Sequence, residues 1–176
     1  TLLLGAAHNV FIGKVLAQAS TNDFVGHPAT QFTVEVVKNI KGDLKDTVTV
    51  NQEGGLKDGT LYLMEDSIGL LQPGATYLLA TRYDPEGDFY TLNPHPNASK
   101  LLTSDQTASV GALLQLVKGD PKVRALEAAY PNEQLIDADL AHSNTRNAFR
   151  DLPEEAKATA RVRAEEARAS LQQDNI

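Results

Sequence analysis

Two consecutive stretches decide how this chain is read: Phe32-Thr33-Val34-Glu35-Val36-Val37-Lys38-Asn39-Ile40-Lys41-Gly42-Asp43, and then Thr47-Val48-Thr49-Val50-Asn51-Gln52-Glu53-Gly54-Gly55. In the first, Phe32, Val34 and Val36 alternate with Thr33 and Glu35. In the second, Val48 and Val50 alternate with Thr47, Thr49 and Asn51. A period of two places one set on each face of a strand, so each stretch predicts a half-buried β-strand. Lys41-Gly42-Asp43 reads as the turn between them, and Glu53-Gly54-Gly55 ends the second.

Three further strands follow from the same reasoning. Asn9 to Ala19 contains Val10-Phe11-Ile12-Gly13-Lys14-Val15-Leu16, apolar on both faces at first and interrupted by a glycine that marks a bulge or bend. Thr76 to Tyr83 and Phe89 to Asn93 flank Asp84-Pro85-Glu86-Gly87 and predict a hairpin. Leu61-Tyr62-Leu63-Met64 is a possible additional short strand, and Gln72-Pro73-Gly74 a turn. Five main strands with a glycine-broken first strand predict a small OB-like closed β-barrel, because closure removes exposed strand edges. A seven-stranded sandwich needs more strands than the sequence supplies.

Composition changes near residue 103. Residues 1–103 are rich in Val, Thr, Tyr and Phe, and residues 104–176 in Ala, Glu, Arg, Leu and Gln. The fold class expected is therefore α+β: an OB-like barrel over 1–103 and a helical C-terminal region over 104–176, packed on the barrel or extending from it. Ser104 is a plausible N-cap for a helix with Val110, Leu113, Leu114 and Val117 on one face, ending at Gly119. Asp120-Pro121 restarts a helix that carries Val123, Leu126 and Tyr130, and Pro131 stops it. A further helix is expected within 133–149. The last begins at the capping box Asp151-Leu152-Pro153-Glu154 and runs to about Gln172, with Val162 and Leu171 its only large aliphatic residues between Glu154 and Gln173.

The 176 residues carry a net charge of −7 and no cysteine. Lack of cysteine excludes a disulfide scaffold, a thiolate zinc site and a cysteine nucleophile. Residues 1–103 hold seven basic and eleven acidic side chains, which argues against a nucleic-acid groove even though Phe11, Phe32, Tyr77, Tyr83, Phe89 and Tyr90 could stack on bases. No run approaches the ~18 apolar residues of a membrane-spanning helix. The chain starts at Thr1, and is read as a processed or a trimmed product, from which a signal peptide or anchor could have been removed upstream.

The ordered set Ala7-His8-Asn9-Val10-Phe11-Ile12-Gly13-Lys14-Val15, Phe32 to Asp43, Thr47 to Gly55 and Tyr77-Leu78-Leu79-Ala80-Thr81-Arg82-Tyr83 resembles the barrel of the tissue inhibitors of metalloproteinases and their netrin-like relatives. It is most similar to uncharacterised secreted or surface proteins of Gram-positive bacteria with that barrel. The resemblance spans roughly residues 7–93 and implies the barrel fold and an exported, cell-surface setting. The animal inhibitors are disulfide-bonded and chelate the protease zinc through an N-terminal cysteine. Here residue 1 is Thr and there is no cysteine, so the inhibitory wedge is not carried over.

Chemical motifs are sparse. His8, His27, His95 and His142 form no H-x-H or H-E-x-x-H pattern and are read as surface or capping residues; no metal site is assigned. Glu65-Asp66 and Asp84/Glu86/Asp88 are read as solvated loop acids, since they lack the EF-hand pattern. There is no G-x-S-x-G, no S-x-x-K and no P-loop, and Asn97-Ala98-Ser99 is read as a chance glycosylation match. The expectation is a non-enzymatic module without catalytic residues or cofactor, binding a protein or cell-envelope partner and not nucleic acid. The binding candidates are Asn51, Gln52 and Glu53 after the third strand, with the hairpin aromatics Tyr83 and Tyr90. Protease inhibition through a rim loop and hydrolysis at an unfamiliar site are the rival readings.

Overall fold

The computed structural model describes residues 2–24, 26–64, 68–93 and 97–136, together with residues 154, 155, 158, 159, 161 and 162. It is an α+β chain. A short helix α1 (Leu2–Gly5) precedes strands β1 (Asn9–Phe24), β2 (His27–Lys41), β3 (Thr47–Glu53), β4 (Gly55–Lys57), β5 (Thr60–Tyr62), β6 (Thr76–Asp84), β7 (Phe89–Leu92) and β8 (Ser99–Thr103). Helices α2 (Val110–Gly119) and α3 (Pro121–Ala129) follow, and a 3-10 turn covers Tyr130–Asn132.

The five main strands expected are β1, β2, β3, β6 and β7. Their main sheet has the order β1-β2-β3-β7-β6-β8, and β1 also pairs with β6, so backbone hydrogen bonding runs round a ring of β1, β2, β3, β7 and β6. All these pairings are antiparallel except β3 with β7, a parallel contact limited to Val50↔Tyr90 and Asn51↔Thr91. Strand β8 extends the sheet from β6, where Tyr77 meets Leu101 and Leu78 meets Lys100. Strands β4 and β8 were not expected. The first strand is longer than its reading, reaching Phe24, because it continues as a two-stranded ribbon with β2 after its pairing with β6 ends at Lys14.

The apolar run in β1 is two-faced because β1 is covered on both sides. Phe11 and Val15 join Phe32, Val34, Val48, Val50, Tyr77, Leu79 and Tyr90 in a core inside the ring. Val10 and Ile12 point the other way and pack with Ile40, Leu78 and Ala80 against Leu4, Val117, Val123 and Leu126. The helices thus cover the outer face of β1, β2 and β6. Full burial of a leucine or valine contributes roughly 1.5–3 kcal/mol, so this second core is a large part of what holds the helices down.

Helix α2 starts later than read from Ser104. Its cap is Ser109, whose Oγ accepts from the Ala112 N–H at 3.2 Å, while residues before it turn on Asp105 and Thr103. Leu113 and Val117 are buried, but Val110 is 47% exposed. Asp120 caps α3 as expected, accepting from the Lys122 and Val123 N–H groups, with Pro121 at its first position. Lys100 pairs with the same carboxylate at 2.7 Å and ties β8 to the start of α3. Residues 133–136 are not helical, and the rest of the helix expected over 133–149 lies outside the described residues. The capping box at Asp151 and Leu171 also lie outside them, whereas residues 154, 155, 158, 159, 161 and 162 are helical and Val162 is 52% exposed.

Lys41, read as part of a turn, is the last residue of β2 and is fully buried. Its Nζ donates to the Leu4 carbonyl at 2.9 Å and to Glu133 Oε2 at 2.6 Å. A buried ammonium is tolerated only with a counter-charge and hydrogen bonding, and here α1 supplies a carbonyl and the segment after α3 supplies the carboxylate. The Ile136 N–H also donates to the Gly5 carbonyl at 3.1 Å, so the segments after α1 and after α3 meet at this end of β2.

One of the four places where β1 shifts register against β2 lies between Ile12 and Gly13, the others being at Val10/Phe11, Val15/Ala17 and Gln18/Ser20. A Cβ at Gly13 would stand 2.4 Å from Val34 Cγ1 and 3.1 Å from the Phe11 ring. Gly13→Ala is expected to cost about 1–3 kcal/mol in chemical denaturation, the usual range for overpacking. Combined with Val34→Ala, the loss should fall below the sum of the two single losses, because the second change removes the clashing methyl.

Candidate functional site

The five candidate binding residues all sit in strands, on the two sides of the β3–β7 seam. Asn51, read as solvent-facing, is completely buried, and neither its Oδ1 nor its Nδ2 has a hydrogen-bond partner. It pairs across the seam with Thr91, whose Oγ1 is likewise buried and unpartnered. Alternation placed Asn51 on the correct face of β3, but that face is covered at this position.

Gln52 is the most structured of the five. Its Oε1 accepts from the buried Leu71 N–H at 2.9 Å, and its Nε2 donates to the Gly69 carbonyl at 2.9 Å. Both partners lie on the segment that leads into β6. That segment also hydrogen-bonds β1, with Gly74 N–H donating to Val15 and Val15 N–H to Ala75, and it sends Leu71 into the ring core. Gln52 therefore holds the stretch that caps one end of the ring, a shape-determining role instead of an exposed contact.

Glu53 ends β3, opposite Ala29. Burial raises its carboxyl above the usual carboxylate range, and the positive charge of nearby His27 partly offsets this. Tyr90 is buried in the ring core, and Tyr83 is its cross-strand partner, with ring centroids 5.1 Å apart and planes tilted by 43°. The Tyr83 hydroxyl donates to Asp88 Oδ1 at 2.7 Å. The structure thus brings Asn51 to the seam beside Thr91, pairs Tyr83 with Tyr90, and gives Gln52 a hydrogen-bonding role.

The acids and histidines have local tasks. Asp84 Oδ1 accepts from the Glu86 and Gly87 N–H groups, both at 3.0 Å, and so builds the β6–β7 turn. His8 Nδ1 accepts from the Tyr83 N–H at 2.9 Å, which places the ring proton of neutral His8 on Nε2. His27 is the exposed first residue of β2. His95, His142, Glu65 and Asp66 lie outside the described residues. Among the described residues no group of three or more His, Asp or Glu converges as a metal site, and no helix is long and apolar enough to cross a membrane.

The sequence reading passed over the feature with the most exposed apolar surface. Gly54 and Gly55, at φ of +110° and +148°, turn the chain out of β3 into the hairpin β4–β5. Asp58 and Gly59 form its tip with φ of +51° and +77°, the two positive angles of a type I′ turn. Leu56 pairs directly with Leu61, and these residues are 64% and 53% exposed. Tyr62, Leu63 and Ile68 are 47%, 50% and 50% exposed. The signal was present as Asp-Gly between Leu56-Lys57 and Thr60-Leu61-Tyr62, the strongest short-range hairpin pattern. The hairpin is moored by Gly54 N–H donating to the Pro28 carbonyl at 2.8 Å and by the Lys57–Asp23 ion pair at 3.1 Å.

No protein-family model matches the chain, and no curated protein matches it.

Two outcomes are expected. Gln52→Ala leaves the Leu71 N–H buried without an acceptor and should cost about 2–3 kcal/mol in unfolding experiments. Gln52→Glu keeps that acceptor but turns a carboxylate oxygen toward the Gly69 carbonyl, so it should also destabilise. For Glu53 the folded carboxyl titrates above the unfolded one. Its ionisation therefore opposes folding as pH rises from the ordinary carboxylate range through the raised folded value. Glu53→Gln should raise the melting temperature at pH 7 by a few degrees at most, with the gain shrinking as the pH falls from the raised folded value into the ordinary carboxylate range and absent below it.

Proposed function

We propose that this chain is a non-enzymatic binding module that works outside the cytoplasm and recognises a protein or cell-envelope partner from one rim of its strand ring. In this reading the ring is an OB-like closed barrel. The cyclic pairing of β1, β2, β3, β7 and β6 supports it, as does an interior filled by Phe11, Phe32, Tyr77 and Tyr90. With large side chains in the centre, recognition falls to the surface. The extracytoplasmic setting rests on the resemblance of residues 7–93 to the netrin-like barrels.

The observation that carries the reading is the apolar hairpin β4–β5, which leaves β3 at the rim with Leu56, Leu61, Tyr62 and Leu63 about half exposed. Contiguous apolar surface of this kind marks interaction sites. Asn51, Gln52 and Glu53 then act as its base: Gln52 fixes the capping segment beside it, and Glu53 is the last β3 residue before the outgoing glycines. Tyr83 and Tyr90 stiffen the neighbouring β6–β7 hairpin.

The test is capture of a component from the native envelope by the immobilised protein. Leu56→Lys with Leu61→Glu, which puts opposite charges on the two directly paired positions, should reduce capture by about tenfold or more, while unfolding free energy changes by no more than about 0.5 kcal/mol. Undiminished capture by the double variant would remove the hairpin from the site. Slowing of a metalloprotease panel by stoichiometric protein would move the assignment to inhibition.

A further inference from the structure

The edge of β5 that faces away from β4 has no backbone partner among the described residues. In a hairpin with a two-residue turn, the pair next to the turn exchanges both of its backbone hydrogen bonds, and pairs alternate from there. Lys57↔Thr60 is that pair, followed by Leu56↔Leu61 and then Gly55↔Tyr62. Thr60 and Tyr62 therefore turn their N–H and C=O groups toward β4. Leu61 turns its own to the open edge, and the same alternation carried one residue past the end of β5 turns those of Leu63 there too. The same alternation places the Leu61 and Leu63 side chains on one face with Leu56 and the Tyr62 side chain on the other.

We propose that this edge pairs with the same edge of a second copy of the chain, antiparallel, with the two-fold axis passing beside Tyr62. Outward-facing residues meet outward-facing residues, so Leu61 pairs with Leu63 of the second copy and the reverse, giving a four-stranded sheet across the dimer. Leu56 and Leu61 of each copy then line up with Leu63 of the other, giving two adjacent apolar rows on one face of the sheet. Tyr62 meets its own equivalent in a non-hydrogen-bonded pair, where side chains approach most closely and aromatic pairs are favoured. Such an isologous contact closes on itself.

Two observations favour a second copy as the occupant. The pattern Leu61-Tyr62-Leu63 is symmetric about Tyr62 and so complements itself. Residues 60–64 carry no charge in a chain of net −7, so the paired edge brings no like charges face to face. At roughly 100 Å² for a leucine and 200 Å² for a tyrosine, the half-exposed side chains supply about 300 Å² per copy. That lies below the roughly 1,200–2,000 Å² of stable complexes, so the pairing is weak and concentration-dependent.

The inference rests on the hairpin being an interaction surface, and the experiment separates the two ideas. The chain has no cysteine, so a single Tyr62→Cys substitution is a clean probe. A non-hydrogen-bonded antiparallel pair has Cα atoms about 4.5 Å apart, within the roughly 4.4–6.8 Å that a disulfide spans. Under mild oxidation at about 100 µM protein, Tyr62→Cys should form the linked dimer about tenfold faster than Lys57→Cys, which lies on the strand away from the axis. Adding Leu61→Lys should abolish that advantage while circular dichroism and melting stay unchanged. Sedimentation of the unmodified chain from about 10 µM to 1 mM should show a rising dimer fraction. Equal linking rates at the two positions, or a monomer throughout, would overturn self-pairing. If Leu61→Lys still abolished capture of an envelope component in that case, the edge would belong to a different protein's extended segment and the interaction surface would stand. If it did not, both ideas would fall.

Discussion

Strand β1 has to satisfy two neighbours and two cores at once. Along Asn9–Lys14 it pairs with β6 on one edge and β2 on the other, while its side chains alternate between the ring interior and the helices outside. A strand so placed must be apolar on both faces, and Val10-Phe11-Ile12 is. It must also bend to follow the ring, and the side chains at the bend must fit inside. Gly13 meets both demands, because a register shift lies beside it and the space above its Cα is already filled by Val34, Phe11 and Leu79. The positions of β2, β6 and the helices all follow from this one segment.

The polar groups that enter the interior mostly tie separate chain segments together. Lys41 joins α1 to the residues after α3, and Gln52 joins β3 to the segment before β6. In each case a long side chain reaches a backbone group on another segment, and a buried polar atom without a partner would cost about 1–3 kcal/mol. Among the described residues, Asn9 and Thr81 are cross-strand neighbours that lie buried with unpartnered side chains, as Asn51 and Thr91 do at the seam. At these two places the ring carries facing pairs of unsatisfied polar side chains, while the apolar contacts around Phe11 and Phe32 hold it.

What could be read from the sequence follows the range of each signal. Alternation in Phe32–Val36 and Thr47–Val50 located β2 and β3, and the Asp120-Pro121 cap located α3, because these signals are local. Alternation could not say that Asn51 is covered, since burial of an outer face depends on what packs over it. Ser104 and Ser109 are equally good cap residues; the choice fell to Ser109 because residues 103–107 are already held in side-chain turns on Thr103 and Asp105. Lys41 looked like a turn residue because nothing nearby in sequence announces Glu133 or Leu4. The β4–β5 hairpin was legible in part: Leu61-Tyr62-Leu63-Met64 reads as a short strand and overlaps β5, while β4 and the Asp58-Gly59 turn are missed because three-residue strands carry almost no periodicity.

The placement of that hairpin is itself a physical argument about use. An isolated two-stranded hairpin is marginal in water, and this one is held by one backbone bond to Pro28, an exposed ion pair and its type I′ turn. Burying its leucines against the ring would have gained roughly a kilocalorie per mole for each half-exposed side chain. Gly54 and Gly55 direct the chain the other way, and a side chain at Gly55 would strike the Thr30 hydroxyl that holds the Gly54 carbonyl at 2.9 Å. The outward course is thus built into the backbone at the end of β3 and does not arise from a shortage of apolar side chains. A chain that buries both faces of β1 along residues 9–13, yet turns three leucines and a tyrosine to solvent, does so because its backbone directs them outward, which is the arrangement the proposed binding surface requires.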